Sequence, residues 1–499
     1  MSLEAKRLTA ASTVGEHPVV GREPTTRECP STVISRRQLL KSSGMGFGLC
    51  ALDWLASCDA AAAPQARPSS AFNPHFPARA KSVIFLMQPG GVSPMDVFDP
   101  KPELTKFGGL VHSEKVEMFQ PGSETNTLLA SPWKFHKHGE CGMDFSEALP
   151  NMATLADDLC MVRSMYSEHN NHTEALVMVT SGKIFPGRPT LGSWISYGLG
   201  TENQNLPAYI VLRDPKGYPG TGSTLWQNGW LPAVHRGTEF RAEGQPILNL
   251  RPAKKMPTGA RDEDRSFLAK LNQRHRERYP TESLLDARIR NYELAARMQL
   301  EAVDVLDLSQ ETQATRRMYG LDNPATKSYG SRLLMTRRLI EAGVRFVQVF
   351  PSTGNPWDSH KNVKSEIADI AAKTDLPSTA LIRDLKQRGL LDDTIIVWTG
   401  EFGRLPVSQN GKGRDHNRNG FTLLLAGGGF RQGHIHGTTN EVGYRAAEDP
   451  VSVPDLFATV LHQLGVDHDA LTYNHHGRDE TLTDSPVSNA RVVRELLDA

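Results

Sequence analysis

Between Thr394 and Gly429 the chain reads TIIVWTGEFGRLPVSQNGKGRDHNRNGFTLLLAGGG. Two apolar runs, Thr394–Trp398 and Phe421–Ala426, are short, β-rich and bounded by glycine. Buried parallel strands have this pattern, because both of their faces are covered. The linker between them carries Glu401, Arg404, Lys412, Arg414, Asp415, His416 and Arg418. A polar loop leaving the carboxyl end of a buried strand is where open α/β sheets place their chemistry.

Similar runs recur. Val83–Met87, Leu159–Arg163, Ala208–Leu212 and Val344–Phe350 are predicted strands. Helical spacing is predicted over Ser146–Asp158, Ala175–Thr180, Ser193–Gly198, Tyr329–Ala342 and Val453–Leu464, and over Lys361–Gln387 with a break or cap at Leu376-Pro377-Ser378. Strands alternating with helices predict a three-layer α/β/α fold around a mostly parallel sheet. Residues 213–262, rich in Gly and Pro and holding Trp226 and Trp230, read as an insertion. Charged amphipathic helices fill about 265–340, and no internal repeat is evident. The domain is expected over 81–499, after a disordered N-terminus with signal at 1–63 and a linker at 64–80.

The N-terminus carries an address. Ser35-Arg36-Arg37-Gln38-Leu39-Leu40-Lys41 resembles a twin-arginine export motif, followed by an apolar segment, Gly44–Ala56, too short and polar for a membrane span. Small residues at Ala60–Ala63 suit cleavage, and Leu55-Ala56-Ser57-Cys58 also fits a lipoprotein box that would make Cys58 a lipid anchor. The expected destination is the periplasm or cell envelope. Lys+Arg 56 balances Asp+Glu 56, which argues against a nucleic-acid partner. Cys29, Cys50, Cys58, Cys141 and Cys160 form no CxxC, so neither a zinc knuckle nor Fe–S or haem ligation is expected; Cys141 and Cys160 either pair or stay free.

Three groups of residues could carry chemistry. Asp358 and His360, two apart in a loop after a predicted strand, can point at one cation, although a capping Asp beside a surface His has the same spacing. Glu401 directly follows a strand, and His416 precedes one, so its loop must fold back over the sheet edge to meet the others. His169, His172 and Thr173 stand at a loop-to-helix entry, which favours an anion but is equally an N-cap cluster. His434-x-His436 and His475-His476 read as pairs in surface loops.

Several stretches resemble the alkaline phosphatase–sulfatase superfamily over roughly residues 81–470: Leu149-Pro150-Asn151-Met152, the Asp358-Ser359-His360-Lys361-Asn362-Val363 motif, Thr394–Gly403, Asp415-His416-Asn417-Arg418, and Val453-Pro454-Asp455-Leu456. GGVSPMDVFDPKPE, GRPTLGSWISYGLG, EFGRLP and GRDHNRNGF are more similar still to the exported bacterial proteins of domain-of-unknown-function family 1501. The resemblance implies one metal position from Asp358, His360 and His416. It implies a second that is damaged: its first carboxylate falls at Gln88, with Asp96 able to reach in from the same loop, and its Asp-His pair falls on Glu401 and Phe402. The nucleophile falls near His172, with Thr173 adjacent and His169 or His172 as its neighbouring base; Arg404, Lys412 or Arg418 would be oxyanion partners. No Cys/Ser-x-Pro-x-Arg motif stands there, which argues against a formylglycine sulfatase. The expected function is an exported hydrolase of phosphate or sulfate esters of small molecules or polysaccharides, using a divalent Zn, Mn or Ca ion. The alternative is a non-catalytic binding or structural protein on the same fold.

Overall fold

The computed structural model describes residues 74–243, 260–279 and 305–498, with 289, 292–294 and 297–298 between the last two stretches. The export motif, Cys29, Cys50, Cys58 and part of the charged helical segment lie outside the described residues.

Among the described residues, nine strands form the central sheet: β1 (Ser82–Met87), β2 (Leu159–Tyr166), β3 (Tyr209–Leu212), β4 (Thr238–Phe240), β5 (Phe346–Val349), β6 (Thr394–Thr399), β7 (Phe421–Ala426), β8 (His434–His436) and β9 (Val451–Ser452). The order is β8-β2-β7-β6-β1-β5-β3-β4, with β9 also on β2. Among the described residues, the helices α1 (His172–Ser181), α2 (Leu191–Leu199), α3 (Lys327–Glu341), α4 (Val363–Gln387) and α5 (Val453–Gln463) flank it.

Side chains alternate along each strand between two cores. Ile84, Leu86, Val347, Ile396 and Trp398 join α3 and α4 on one face. Val83, Phe85, Phe346, Ile395 and Val397 join α1, α2 and α5 on the other. With both faces buried, the strands read as unbroken apolar runs, and the expected three-layer α/β/α architecture with a mostly parallel sheet is the one observed.

The direction of one strand differs from expectation. β7 is antiparallel to both of its neighbours, with Leu424 opposite Trp398 and Ala426 opposite Ile396. Phe421 therefore begins beside the carboxyl end of β6. His416 reaches the functional edge of the sheet directly, without the fold-back that a parallel strand would require.

Other departures are local. The Pro377 break is absent: α4 runs unbroken from Val363 to Gln387 with Pro377 buried. Its apolar flank, Ile367, Ile370 and Leu381, packs in the first core, and tertiary burial outweighs one lost N–H bond. The described part of the 213–262 insertion supplies β4 to the sheet. His434 and His436 lie on β8, not in a loop, and His436 is buried. Cys141, exposed, and Cys160, buried in β2, are both free.

Candidate metal centre

The carboxyl ends of β1, β2, β5 and β6 and the start of β7 converge on Asp358. Asp358 follows β5, His172 opens α1 after β2, and His416 lies on a two-residue ribbon, His416–Asn417, paired with Gly403–Arg404 after β6. His360 Nε2 stands 2.8 Å from Asp358 Oδ1, His416 Nε2 3.4 Å from the same oxygen, and His172 Nε2 3.3 Å from Oδ2. His360 Nε2 and His416 Nε2 are 3.0 Å apart.

The opposite nitrogen of each ring is held by an acceptor. His416 Nδ1 donates to the Asn170 carbonyl at 2.6 Å. His172 Nδ1 donates to Glu401 Oε1 at 2.6 Å. His360 Nδ1 faces Gln409 Oε1 at 2.5 Å; Gln409 donates through Nε2 to the Pro121 carbonyl, which leaves Oε1 as the acceptor. These partners place the proton of each neutral ring on Nδ1 and leave a bare lone pair on Nε2. A ligand histidine clamped through its far nitrogen is the usual arrangement around a bound metal.

Two further observations fit a cation. His172 Nε2 is buried and has no hydrogen-bond partner. The bare Nε2 atoms of His360 and His416 repel at contact distance unless a proton or cation lies between them. Two overlapping groups, His172–Asp358–His416 and His360–Asp415–His416, have ligand atoms close enough to hold one ion. Asp415 is the weaker member, because its Oδ2 already accepts from Phe119 N and Gln120 N, both at 2.7 Å, and its Oδ1 accepts from His416 N. With Asp415 set aside, His172, Asp358 and His416 lie close enough to hold one ion, and His360 Nε2 adjoins both Asp358 and His416, a donor set suited to a borderline divalent ion.

Electrostatics follow from the packing. Burial disfavours the charge of Asp358, but His172, His360, His416 and Arg404 hold its carboxyl well below the usual carboxylate range. Without an ion, burial works against a charged His172, yet the flanking carboxylates Asp358 and Glu401 raise it to about 9, so near neutral pH this ring carries a proton on Nε2 that a metal would displace. Burial, aided by Arg404, lowers His416 to about 4, against the pull of Asp358.

Several residues expected at the site do other work. Glu401, expected as a ligand, is fully buried behind His172, and its carboxylate also accepts from Gly90 N at 2.9 and 3.1 Å. Asp96, likewise expected as a ligand, is held by Arg414 at 2.7 and 3.2 Å and by Ser93 Oγ. Arg404, expected as an oxyanion partner, is fully buried and donates to the Gly90, Gly91 and Arg414 carbonyls and to Asp358 Oδ1. These bonds occupy four of its five N–H groups and make it the clamp on Asp358. Arg418 is drawn to Glu117 and the Glu168 carbonyl, and Lys412 is exposed. His169 lies half-exposed, its Nδ1 accepting from Asn171 N. Thr173 is exposed beside His172 and its hydroxyl bonds no described residue. At the positions where a second metal was implied, Gln88 accepts from Trp357 Nε1 at 2.9 Å and Phe402 stacks on His172, ring centres 4.9 Å apart.

Asn170, Gln409, Phe119 and Gln120 were not foreseen. Phe119 stacks on the His416 ring at 5.1 Å, and Gln120 Nε2 lies 3.4 Å from His360 Nε2. The run of Ser, His and Asn around Asn170 was a signal; Gln120 lies in an irregular stretch that gave none.

A family profile described as a protein of unknown function (DUF1501) matches residues 80–497. The chain belongs to the DUF1501 family. The match ends within two residues of the C-terminus and includes every residue of the DUF1501 site described above. No curated protein matches the chain in sequence. Similar solved structures include a phosphonate monoester hydrolase from Silicibacter pomeroyi, 13% identical, covering 70% of this chain and 71% of that one with a TM-score of 0.33. The lipoteichoic acid synthase LtaP from Listeria monocytogenes is 10% identical over 85% of this chain and 78% of its own, TM-score 0.33. A protein in the alkaline phosphatase superfamily from Vibrio parahaemolyticus is 11% identical over 88% and 77%, TM-score 0.33. Among the described residues of this DUF1501 protein, no helix is long and apolar enough to cross a membrane.

Proposed function

We propose that this protein is a metal-dependent hydrolase of phosphate or sulfate esters, of small molecules or polysaccharides, with one divalent ion held by His172, Asp358, His360 and His416. The observation that carries the reading is the convergence of three clamped imidazoles, Nε2 inward, on one carboxylate. Nitrogen-rich donors favour zinc over manganese and calcium, which prefer oxygen ligands. A divalent ion there would supply Lewis-acid polarisation of an ester oxygen and a more acidic bound water.

The chain's own residues do the rest. Arg404 fixes Asp358, while Glu401, Asn170 and Gln409 fix the three rings. Phe402 and Phe119 pack on His416 and limit water there. Thr173, exposed beside His172, is the candidate nucleophilic hydroxyl. Export through the twin-arginine signal to the periplasm or envelope completes the proposal, with Cys58 as a lipid anchor in its lipoprotein form.

Metal analysis of protein purified without chelator, with turnover of aryl phosphate, phosphodiester and sulfate esters, tests the reading. One equivalent of metal and turnover abolished by His416→Ala are expected. Absence of bound metal, or turnover indifferent to His416→Ala, rejects it. The second reading, a binding protein on the same fold, is favoured by Gln88 and Phe402, a neutral and an apolar side chain where a second metal's ligands were implied. It predicts bound metal with no turnover of any ester.

A further inference from the structure

The sequence pointed to arginines and a lysine as the groups that would meet the substrate's charge, and the structure removes the arginines from that role. Arg404 is spent on carbonyls and Asp358, Arg414 on Asp96 and carbonyls, and Arg418 is paired with Glu117. Lys361 and Lys412 are exposed, where solvent and salt screen them. The interior balance is acidic. With His172 neutral, as it is when its Nε2 ligates a metal, Arg404 and Arg414 stand against four carboxylates, Asp96, Asp358, Glu401 and Asp415, an excess of two formal negative charges. One divalent ion cancels that excess and leaves no positive surplus for a dianion.

A neutral donor is nonetheless built into the site. The Asp415 carboxylate, fully buried, receives the backbone N–H groups of Phe119 and Gln120 on one oxygen and that of His416 on the other. One side chain thus locks the Phe119–Gln120 segment to the ligand-bearing ribbon. The lock sets the Gln120 amide 3.4 Å from His360 Nε2, half-buried. That contact uses the bare lone pair of His360. Once the lone pair is committed to a metal, the Gln120 N–H groups lose that acceptor and are left to donate to a ligand of the ion.

We propose that Gln120 is a substrate-binding residue whose side-chain amide donates to a non-bridging oxygen of the ester, and that the site selects monoanionic esters, sulfate monoesters or phosphodiesters, over phosphate monoester dianions. The proposal rests on the metal-dependent hydrolase reading above. A neutral donor in a charge-balanced pocket solvates one negative charge well, while a second one goes uncompensated.

The test uses metal-loaded full-length protein at pH 8. Turnover of 4-nitrophenyl sulfate, bis(4-nitrophenyl) phosphate and 4-nitrophenyl phosphate is measured beside calorimetric binding of methyl sulfate, dimethyl phosphate and methyl phosphate. A monoanion is expected to be favoured by about tenfold or more in kcat/KM and in affinity, and the first two substrates tell sulfate from phosphodiester. Gln120→Ala is expected to lower kcat/KM for the preferred ester by roughly 100-fold, with bound metal and melting temperature unchanged. Equal or better use of the dianions, or Gln120→Ala without effect on binding and turnover, overturns the proposal. Protein that binds metal and methyl sulfate but turns nothing over rejects the hydrolase reading and leaves the anion selectivity measured by calorimetry. Protein that binds no metal rejects both.

Discussion

His360 Nε2 and His416 Nε2 face one another at 3.0 Å, each ring held from behind by a hydrogen bond at its Nδ1. Two lone pairs at that distance are a standing repulsion, relieved when a cation sits between them and Asp358. Metal binding is therefore expected to stabilise the folded chain. Free metal roughly 1,000-fold above its Kd should add about 4 kcal/mol. Thermal denaturation with and without chelator measures the effect. His360→Ala or His416→Ala should abolish the metal-dependent rise in melting temperature, and a rise that persists in both variants would place the ion elsewhere.

Glu401 buttresses His172 from a fully buried position and is not placed to be a ligand. Glu401→Gln keeps an acceptor for Nδ1 but weakens the bond and loses part of the grip on Gly90 N. Metal affinity should fall roughly 10- to 100-fold, the usual cost of losing a ligand's orienting partner. Equilibrium dialysis against a zinc buffer reads this directly. Complete loss of binding would instead identify Glu401 as a ligand, and unchanged affinity would deny it any role.

Much of the fold that positions this site is legible in the sequence, and the reasons for the remainder are physical. Strands buried on both faces announce themselves by apolar runs, so β1, β5, β6 and β7 stood out. Asp358 and His360 alone have the spacing of a capping Asp beside a surface His; they stand out because Glu401 and His416 also gather near strand ends. The direction of β7 was not legible, since apolar content is the same for either direction; only pairing with β2 and β6 sets it. Glu401 was misplaced because a carboxylate after a strand has the same local sequence whether it binds a cation or holds a ligand's ring. Gln120 was invisible because its place depends on Asp415, 295 residues away in the chain. Arg404 was misjudged because the carbonyls that consume it come from the turn after β1 as well as its own loop.

The two described cysteines differ in environment. Cys160 is buried in β2, and burial pushes its thiol up to about 12. A raised thiol pKa means less thiolate at any given pH, so Cys160 should resist alkylation at pH 8.5 in the folded protein. Cys141 is exposed. Its thiol is also raised, chiefly by burial, so it should label slowly but well ahead of Cys160. Peptide mapping after brief iodoacetamide treatment separates the two, and equal labelling in native protein would contradict the packing of β2.

Gly90 carries the last prediction. Its φ of +117° is a conformation that side-chain-bearing residues rarely adopt. A Cβ there would lie 2.5 Å from Asp358 N and 2.6 Å from Trp357 N, backbone atoms that cannot swing aside. Gly90 N also anchors Glu401, and its carbonyl accepts from Arg404. One substitution thus presses on Asp358 while loosening the supports of His172 and of Asp358 itself. Gly90→Ala is expected to destabilise the protein by at least ~2 kcal/mol and to weaken metal binding beyond what that loss explains. Denaturant unfolding of the metal-free protein isolates the first effect, and metal titration below the unfolding transition isolates the second. A variant destabilised as expected but with native metal affinity would show that Asp358 tolerates displacement of the turn after β1, and that the cluster is less tightly prearranged than its hydrogen bonds imply.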